Sequence, residues 1–149
     1  MVETIQLCTF WIDQLHLAVN VRQVQGVVSH QPMTRVPLAP PAVRGLMNLR
    51  GDVIAGIDLR PCLEIAAPAE QTPWANVILK GSAGPVSLLV DKIGDVAAVT
   101  EDQLEPPPET LPAKLLEITA SICQQGESLM LLLDVERAIS LASESQGAY

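Results

Sequence analysis

The sequence predicts an all-β fold built from two small, similar lobes that share one core. Its 149 residues are 48% apolar but only 3% aromatic, so Val, Leu, Ile and Ala must supply the packing, as in the short strands of small barrels. Apolar and polar residues alternate along several short segments, which is the period of a half-buried strand. The halves of the chain also repeat one order of strand, Pro-rich loop, strand and short helix, which predicts two related units.

A hairpin is predicted near the start of the chain. Residues 5–12 form a mostly apolar run, Asp13-Gln14 interrupts it, and residues 15–21 then alternate strictly. The interruption therefore predicts a tight turn between two strands. The predictions for the rest of this half are strands at residues 24–28, 46–49 and 53–57, a Pro-rich loop at 31–42, a short helix at 59–65 and a linker at 66–73.

The strand pattern restarts after the linker. Predicted strands lie at residues 75–79, 86–90, 93–99, 118–124 and 128–133, with a second Pro-rich loop at 105–112. Asp134 is predicted to cap a helix over 134–141, because aspartate accepts hydrogen bonds from free helix amides. We expect one domain over residues 1–141, with a first lobe at about 15–70, a second at about 71–135, terminal segments packing across, and a flexible tail at 142–149.

Two pairs of segments carry the internal repeat. VRQVQGVV at residues 21–28 aligns with VDKIGDVA at 90–97, and RGDVIAGIDLRPCL at 50–63 aligns with QGESLMLLLDVERAI at 125–139. In the second pair a turn with glycine and an acid leads to an apolar strand, and then to an aspartate that begins a helical segment. Because the identities are few, the repeat depends on the matching order of elements.

The charge pattern disfavours several classes of partner. A formal net charge of −8 disfavours nucleic acid and anionic lipid, because both bind through a basic face. The sequence shows neither a leader-like segment nor an apolar run long enough to span a bilayer, so a cytoplasmic protein is expected.

Cys8, Cys62 and Cys123 are far apart and lack histidine at ligand spacing, which predicts reduced, buried cysteines and no metal site or disulfide framework.

Candidate catalytic groups are scattered along the chain. His16 lies on the polar face of a predicted strand and His30 at the entry to a loop, and neither has a Ser, Cys or carboxylate at a suitable spacing. Four acids at turn or cap positions are expected to bond their own backbone: Asp52, Asp58, Asp91 and Asp95. A catalytic carboxylate pair stays open, but nothing selects one, and no phosphate loop is present. We expect no enzymatic activity, no catalytic residue and no cofactor.

The most distinctive segment is RGLMNLRGDVIAGIDLR at residues 44–60. Gly45 and Gly51 bracket a short strand that carries Asn48 and Arg50, and Gly51-Asp52 is predicted to form a hairpin turn. The residues alone leave two interpretations open. In one, Asn48 caps the turn and Arg50 is a solvated edge charge. In the other, Arg50 belongs to a protein-binding surface, where arginine is enriched.

This segment resembles the signature of CheW-like coupling proteins, a G-x-x-N-L-R-G-x-x-x-x-x-x-D-L-R pattern. The chain matches it with Gly45, Asn48-Leu49-Arg50-Gly51 and Asp58-Leu59-Arg60. The likeness covers almost the whole chain. FWIDQLHLAVNVRQVQGVV is similar to the family's first hairpin and next strand, GPVSLLVDKIGDVAAVTEDQLEPPPE to its second-lobe segment, and LLLDVERAI to its closing strand and helix.

The resemblance implies two interlocked five-stranded SH3-like barrels without enzymatic activity. Family members bridge the regulatory domain of a CheA-type histidine kinase to the cytoplasmic tips of chemoreceptors in membrane-associated arrays. These are the expected partners, with no nucleic acid, membrane insertion or small-molecule substrate. The matching kinase-facing positions are Cys8, Val21 and Val24, although packing in the core is an equal alternative for both valines. The receptor tip is expected between the lobes, near the signature residues Asn48, Arg50, Gly51, Asp58 and Arg60.

Two positions depart from the family pattern. Many members have a Glu where this chain has Gly26, and that acid can pair with the signature arginine. Arg50 is therefore expected to lack this internal partner, so that its role changes or passes to an acid of another protein. The proline that is common inside the signature strand is Ala55 here, which is expected to alter only an edge.

Two other functions stay open at this point. The first is a small-ligand-binding or enzymatic β-barrel protein that shares the pattern, which would need a pocket with convergent polar groups. The second is a CheW-like adaptor in a pilus or surface-motility pathway in place of swimming chemotaxis. The sequence does not separate this second function from chemotaxis, because the difference lies in the partner.

Overall fold

The structure is a computed structural model that describes residues 3–29, 31–66 and 74–144. His30, most of the expected linker and residues 145–149 of the expected tail lie outside this description. The strands are β1 Thr4–Ile12, β2 Leu15–Asn20, β3 Val24–Val28, β4 Val43–Leu49, β5 Asp52–Ile57, β6 Ala75–Gly81, β7 Gly84–Val90, β8 Lys92–Thr100, β9 Leu104–Glu105, β10 Thr119–Gln125 and β11 Ser128–Leu133. The α-helices are α1 Arg60–Leu63, α2 Ala113–Ile118 and α3 Val135–Glu144, and single 3-10 turns lie at Val21–Gln23 and Glu101–Gln103.

The strands form two mixed sheets, which we call lobe 1 and lobe 2. Lobe 1 has five strands in the order β3-β6-β7-β5-β4, and lobe 2 has six in the order β8-β1-β2-β11-β10-β9. One pair in each lobe is parallel, β5 with β7 and β2 with β11, and the other named pairs are antiparallel. The predicted all-β class, with few helices and one of them near the C-terminus, is confirmed.

The two sheets have matching topology, which gives the internal repeat a structural form. In each lobe one edge strand, β3 or β8, precedes a hairpin, β4–β5 or β10–β11, and a helix, α1 or α3. Even the short pairing on the outer strand recurs, since Thr34 bridges to Leu46 of β4 and β9 pairs with β10. Each sheet also contains a second hairpin. In lobe 1 this hairpin is β6–β7, which follows α1 in the chain, and in lobe 2 it is β1–β2, from the start of the chain.

Strand pairing divides the chain differently from the expected lobe boundaries. β6 and β7, at residues 75–90, pair with strands of the first half, so lobe 1 extends to Val90. β2 belongs to lobe 2 through its parallel pairing with β11. α3 also continues beyond residue 141 to Glu144. The two short elements α2 and β9 were not predicted, and the other strands lie where the alternation placed them, although β4 begins three residues earlier, at Val43.

The largest apolar cluster lies between the lobes and includes the β1–β2 hairpin. One face of this hairpin, with Phe10 and Leu17, packs in that cluster together with Val77 and Leu88 of lobe 1. The other face packs inside lobe 2, in a cluster with Leu7, Ala18, Val99, Cys123 and Met130. Lobe 1 has its own inner cluster of Met47, Ile54, Ile78 and Leu89. Because the hairpin is buried on both faces, separating the lobes would expose apolar surface on each side of it.

The three helices pack against one another, and α3 also packs on a sheet. α1 contacts α2, α2 contacts α3, and α3 packs on β6 of the opposite lobe. Asp134 caps α3 as predicted, since its Oδ1 accepts a hydrogen bond from the backbone amide of Arg137 at 3.1 Å. None of the helices in the described part of the chain is long and apolar enough to cross a membrane.

Candidate functional site

The exposed tip of the β4–β5 hairpin carries the first half of the signature. Leu49 pairs with Asp52, so the turn consists of Arg50-Gly51 and not of the predicted Gly51-Asp52. Both turn residues have positive φ, 55° at Arg50 and 89° at Gly51, as two-residue hairpin turns of the primed types require. Asn48 Oδ1 accepts a hydrogen bond from the Gly51 amide at 3.1 Å. Asn48 therefore caps the turn and holds Arg50 in a left-handed conformation that non-glycine residues adopt at a cost.

Arg50 lies beside an open space at the end of lobe 1. Its side chain is exposed, and none of the described carboxylates forms an ion pair with it. Arg50 and Gly26 line the same cavity of about 230 Å³, with Val27, Val28 and Ile54 among its walls. A Cβ added at Gly26 would meet no atom within 4 Å. The cavity therefore combines these apolar walls with the polar residues Arg50, Asp52 and Gln25, and it has room for a side chain at position 26.

The second half of the signature lies in the interior. Asp58 is 0% exposed, and its Oδ2 accepts hydrogen bonds from Arg44 Nε at 3.0 Å and Arg44 Nη2 at 2.8 Å. Its other oxygen, Oδ1, accepts from the backbone amide of Arg60 at 2.9 Å. Asp58 therefore fixes the path of the chain from β5 into α1, and its carboxylate is not available to a partner in this conformation.

Arg60 is also internal, with 2% of its surface exposed. Its guanidinium donates to the carboxylate of Asp91 and to the carbonyl of Ala66 at 2.9 Å, and it lies 5.8 Å from the centroid of the Trp74 ring. Asp91 Oδ2 also accepts from the backbone amide of Asp13 at 2.6 Å. Arg60 thus ties α1 of lobe 1 to the chain that enters β8 and, through Asp91, to the β1–β2 turn of lobe 2.

The structure separates the two halves of the signature by the length of β5. Six residues of strand span about 20 Å, so the Arg50 tip and the Arg60 network lie at opposite ends of this strand. Of the five signature residues, we therefore retain Asn48, Arg50 and Gly51 as candidates for direct contact with a partner. The spacing of the motif does not distinguish exposed from buried residues, because burial depends on Asp91 and Arg44, which only the fold brings near.

The three kinase-facing positions differ in their exposure. Cys8 is buried in β1, between β2 and β8, and burial raises the pKa of its thiol above the ordinary value of 9.0. Val21 and Val24 are half-buried, and both pack against the cluster between the lobes. Val27, in the same edge strand as Val24, is the more exposed side chain. Each of the two valines therefore packs partly in the core and is partly exposed at the surface. Val27 is an additional candidate for contact with a partner.

Exposed apolar residues occur at matching positions of the two lobes, and sequence reasoning did not select them. Val53 is 66% exposed and Val96 is 63% exposed, on β5 of lobe 1 and β8 of lobe 2. Their counterparts in the repeat, Leu129 on β11 and Val27 on β3, are exposed as well. The sequence signal that could have identified these residues is an apolar residue at a position where the alternation of a strand predicts a polar, outward-facing one. Each lobe therefore has a matching pair of exposed apolar side chains.

His16 packs on an aromatic ring within the β1–β2 hairpin. The described residues contain no group of three or more His, Cys, Asp or Glu side chains arranged to hold a metal ion. The imidazole of His16 stacks on the Trp11 ring with centroids 4.1 Å apart and planes at 4°. Its Nδ1 is buried without a hydrogen-bond partner among the described residues, and burial lowers the pKa of the imidazole below 6.5. All three cysteines are buried, as predicted.

Comparison with known proteins matches residues 6–143 to the CheW-like domain, from β1 to the last turn of α3. The chain belongs to the CheW-like family. Similar proteins include the chemotaxis protein CheW of Klebsiella aerogenes, 25% identical over 88% of this chain and 79% of that protein. The chemotaxis protein CheW of Bacillus subtilis is 29% identical over 96% of this chain and 91% of its own length.

A solved structure shows the same fold as this CheW-like chain. The scaffolding protein TtCheW from Thermoanaerobacter tengcongensis superposes with a TM-score of 0.84 at 20% identity, covering 97% of this chain and 98% of that one. The family match spans both lobes and includes the N-terminal hairpin that completes lobe 2. The CheW-like match therefore covers strands of both lobes and is not confined to one of them.

Proposed function

We propose that this CheW-like chain is a non-catalytic adaptor that couples a CheA-type histidine kinase to the cytoplasmic tips of chemoreceptors. The observation that carries the proposal is the CheW-like match over residues 6–143, which includes every strand that builds the two lobes. The matched chemotaxis proteins of Klebsiella aerogenes and Bacillus subtilis support it. The chain would act in the cytoplasm, at membrane-bound receptor arrays.

Lobe 1 supplies the surfaces that this role requires. The kinase regulatory domain would contact the half-buried Val21 and Val24 and the exposed Val27 on edge strand β3, with Cys8 supporting this region from the interior. The receptor tip would contact the hairpin turn through Arg50, which Asn48 and Gly51 hold in a fixed conformation. A turn backbone that is already fixed favours affinity because little backbone freedom is lost on binding.

Direct titration tests the proposal. The full-length chain is mixed with the purified kinase regulatory domain and, separately, with the cytoplasmic fragment of a chemoreceptor from the same organism. We expect micromolar binding to both, which is usual for signalling contacts of modest area. Arg50→Glu should weaken receptor or kinase binding by about tenfold or more. Unaltered affinities for both partners in a folded Arg50→Glu variant would contradict the assignment of this residue.

Arg35→Glu is the matched control, because Arg35 is also exposed and lines a different cavity. It makes the same change in charge away from the hairpin tip, so it should leave both affinities within about twofold. Repeating the titrations with the kinase and receptor of a pilus or surface-motility system decides which pathway the adaptor serves. Binding to neither set of partners by the wild-type chain would sink the adaptor proposal.

A further inference from the structure

A groove lined by helices lies at the other end of β5 from Arg50. An open cavity of about 480 Å³ is lined by the β1–β2 turn, α1 and the start of α2. A second cavity of about 390 Å³ lies between α1, α2 and α3. The two cavities share the residues Cys62, Glu64 and Lys114, so they form one continuous depression, which we call the helix groove.

The helix groove has an apolar floor and an acidic rim. Leu15, Leu63 and Ile65 are half-buried along the floor, next to the buried Leu115 and Leu141. Four carboxylates and a single ammonium line it: Asp13, Glu64, Glu117, Glu144 and Lys114. None of these five side chains takes part in an ion pair among the described residues. The rim is therefore negative and free to pair with cations from outside.

The shape of the helix groove favours a helical ligand. Strand addition needs a free sheet edge, but the strand at this groove, β2, is paired on both sides by β1 and β11. Grooves walled by helices instead bind an amphipathic helix through its apolar stripe. We propose that the helix groove docks a basic amphipathic helix of a partner protein, with leucine-like residues on the floor and lysine or arginine against the rim. This inference does not rest on the proposed coupling function.

A pair of synthetic helical peptides tests the charge preference. Each peptide has about 14 residues, or roughly 21 Å of helix, with Leu at i, i+3 and i+4 spacing. One carries Lys at the other positions and its matched partner carries Glu. By fluorescence anisotropy, the full chain should bind the Leu/Lys peptide at least about tenfold more tightly than the Leu/Glu peptide. Equal affinities, or binding of neither peptide, would overturn the proposal.

Charge-reversal variants decide whether the helix groove is the binding site. E64K/E117K reverses the rim, whereas E101K/E127K makes the same change in net charge at exposed turns outside the groove. The rim variant should lose about tenfold or more in affinity for the Leu/Lys peptide, and the control less than about threefold. Similar losses in both would assign the binding to the overall net charge of −8 and overturn the proposal.

A blocking variant tests the apolar floor without altering charge. Ala113 is exposed and lines the groove mouth, so Ala113→Trp can fill the cavity while the core stays intact. Circular dichroism and the melting temperature should match the wild type, and affinity for the Leu/Lys peptide should fall by about tenfold. Unchanged affinity would show that the peptide binds elsewhere on the protein, which rejects the helix groove as its site.

Discussion

Glu136 at the start of α3 accepts two hydrogen bonds from Ser82, one from the backbone amide at 2.8 Å and one from the hydroxyl at 3.0 Å. Ser82 lies in the β6–β7 turn of lobe 1, whereas α3 follows the last strand of lobe 2. In a similar way, α1 of lobe 1 reaches the β1–β2 turn of lobe 2 through Arg60 and Asp91. Each helix is thus fastened to the hairpin turn of the other lobe, which explains how the lobes interlock.

The Glu136–Ser82 contact should contribute modestly to stability. Replacing Glu136 with Gln removes the charge from both hydrogen bonds, and we expect a loss of about 1 kcal/mol in the free energy of unfolding, because charge-assisted bonds at an exposed site are partly screened. Urea unfolding at neutral pH measures this loss. Glu127→Gln, at the exposed β10–β11 turn, is the control and should change stability by less than about 0.5 kcal/mol. Equal effects would show that the contact adds nothing.

Local patterns predicted the strands and the α3 cap, because alternation and capping depend on neighbouring residues. Asp134 and the β1–β2 turn lie where they were expected. The division into lobes could not be obtained in this way, because β6 and β7 fit either half until their pairing partners are known. β2 and β11 are far apart in the chain but pair in the sheet. No pattern in a single sequence predicts this pairing.

The candidate site was predicted in part for the same reason. The motif identified Asn48, Arg50 and Gly51, and the structure places them together at an exposed turn. It could not show that Asp58 and Arg60 are buried, because their partners Arg44 and Asp91 are 14 and 31 positions away. Burial of an ion pair is a property of the fold, whereas a motif records only spacing.

Stability should depend strongly on Arg60, the buried arginine of the signature. Arg60→Met removes the cation from Asp91 and leaves a partly buried carboxylate unpaired, so we expect a loss of about 2–4 kcal/mol in unfolding free energy. Asp91 keeps 28% of its side-chain surface exposed, which places the expected loss below that of a fully buried pair. Thermal and urea unfolding measure it.

The double variant Arg60→Met/Asp91→Asn tests the cause of that loss. If the unpaired carboxylate dominates, the double variant should recover part of the stability of Arg60→Met, as a mutant cycle for interacting residues requires. Arg50→Met is the matched control at the exposed tip and should cost less than about 0.5 kcal/mol. A loss at Arg50 equal to that at Arg60 would contradict the separation of the signature into exposed and buried halves.

Gly26→Glu should create an internal partner for Arg50. The space at Gly26 is open and shared with Arg50, so the new side chain fits without strain and we expect stability within about 1 kcal/mol of the wild type. Binding that depends on Arg50 should weaken, because the guanidinium is then neutralised within the chain. Titration of Gly26→Glu and of the uncharged control Gly26→Gln separates charge from bulk. Equal weakening by both variants would show that bulk alone is responsible.

His16 should make the protein less stable in weak acid. Burial lowers the pKa of the stacked imidazole below its ordinary value of 6.5, so the unfolded chain binds this proton more readily than the folded one. The His16 contribution to stability is therefore intact above about pH 6.5 and is lost as the pH falls from there toward the lower pKa of the folded state. Urea unfolding at about pH 8, 6 and 5 should show a steeper fall for the wild type than for His16→Gln. Because both proteins share every carboxylate, parallel curves would mean that His16 does not titrate differently on folding.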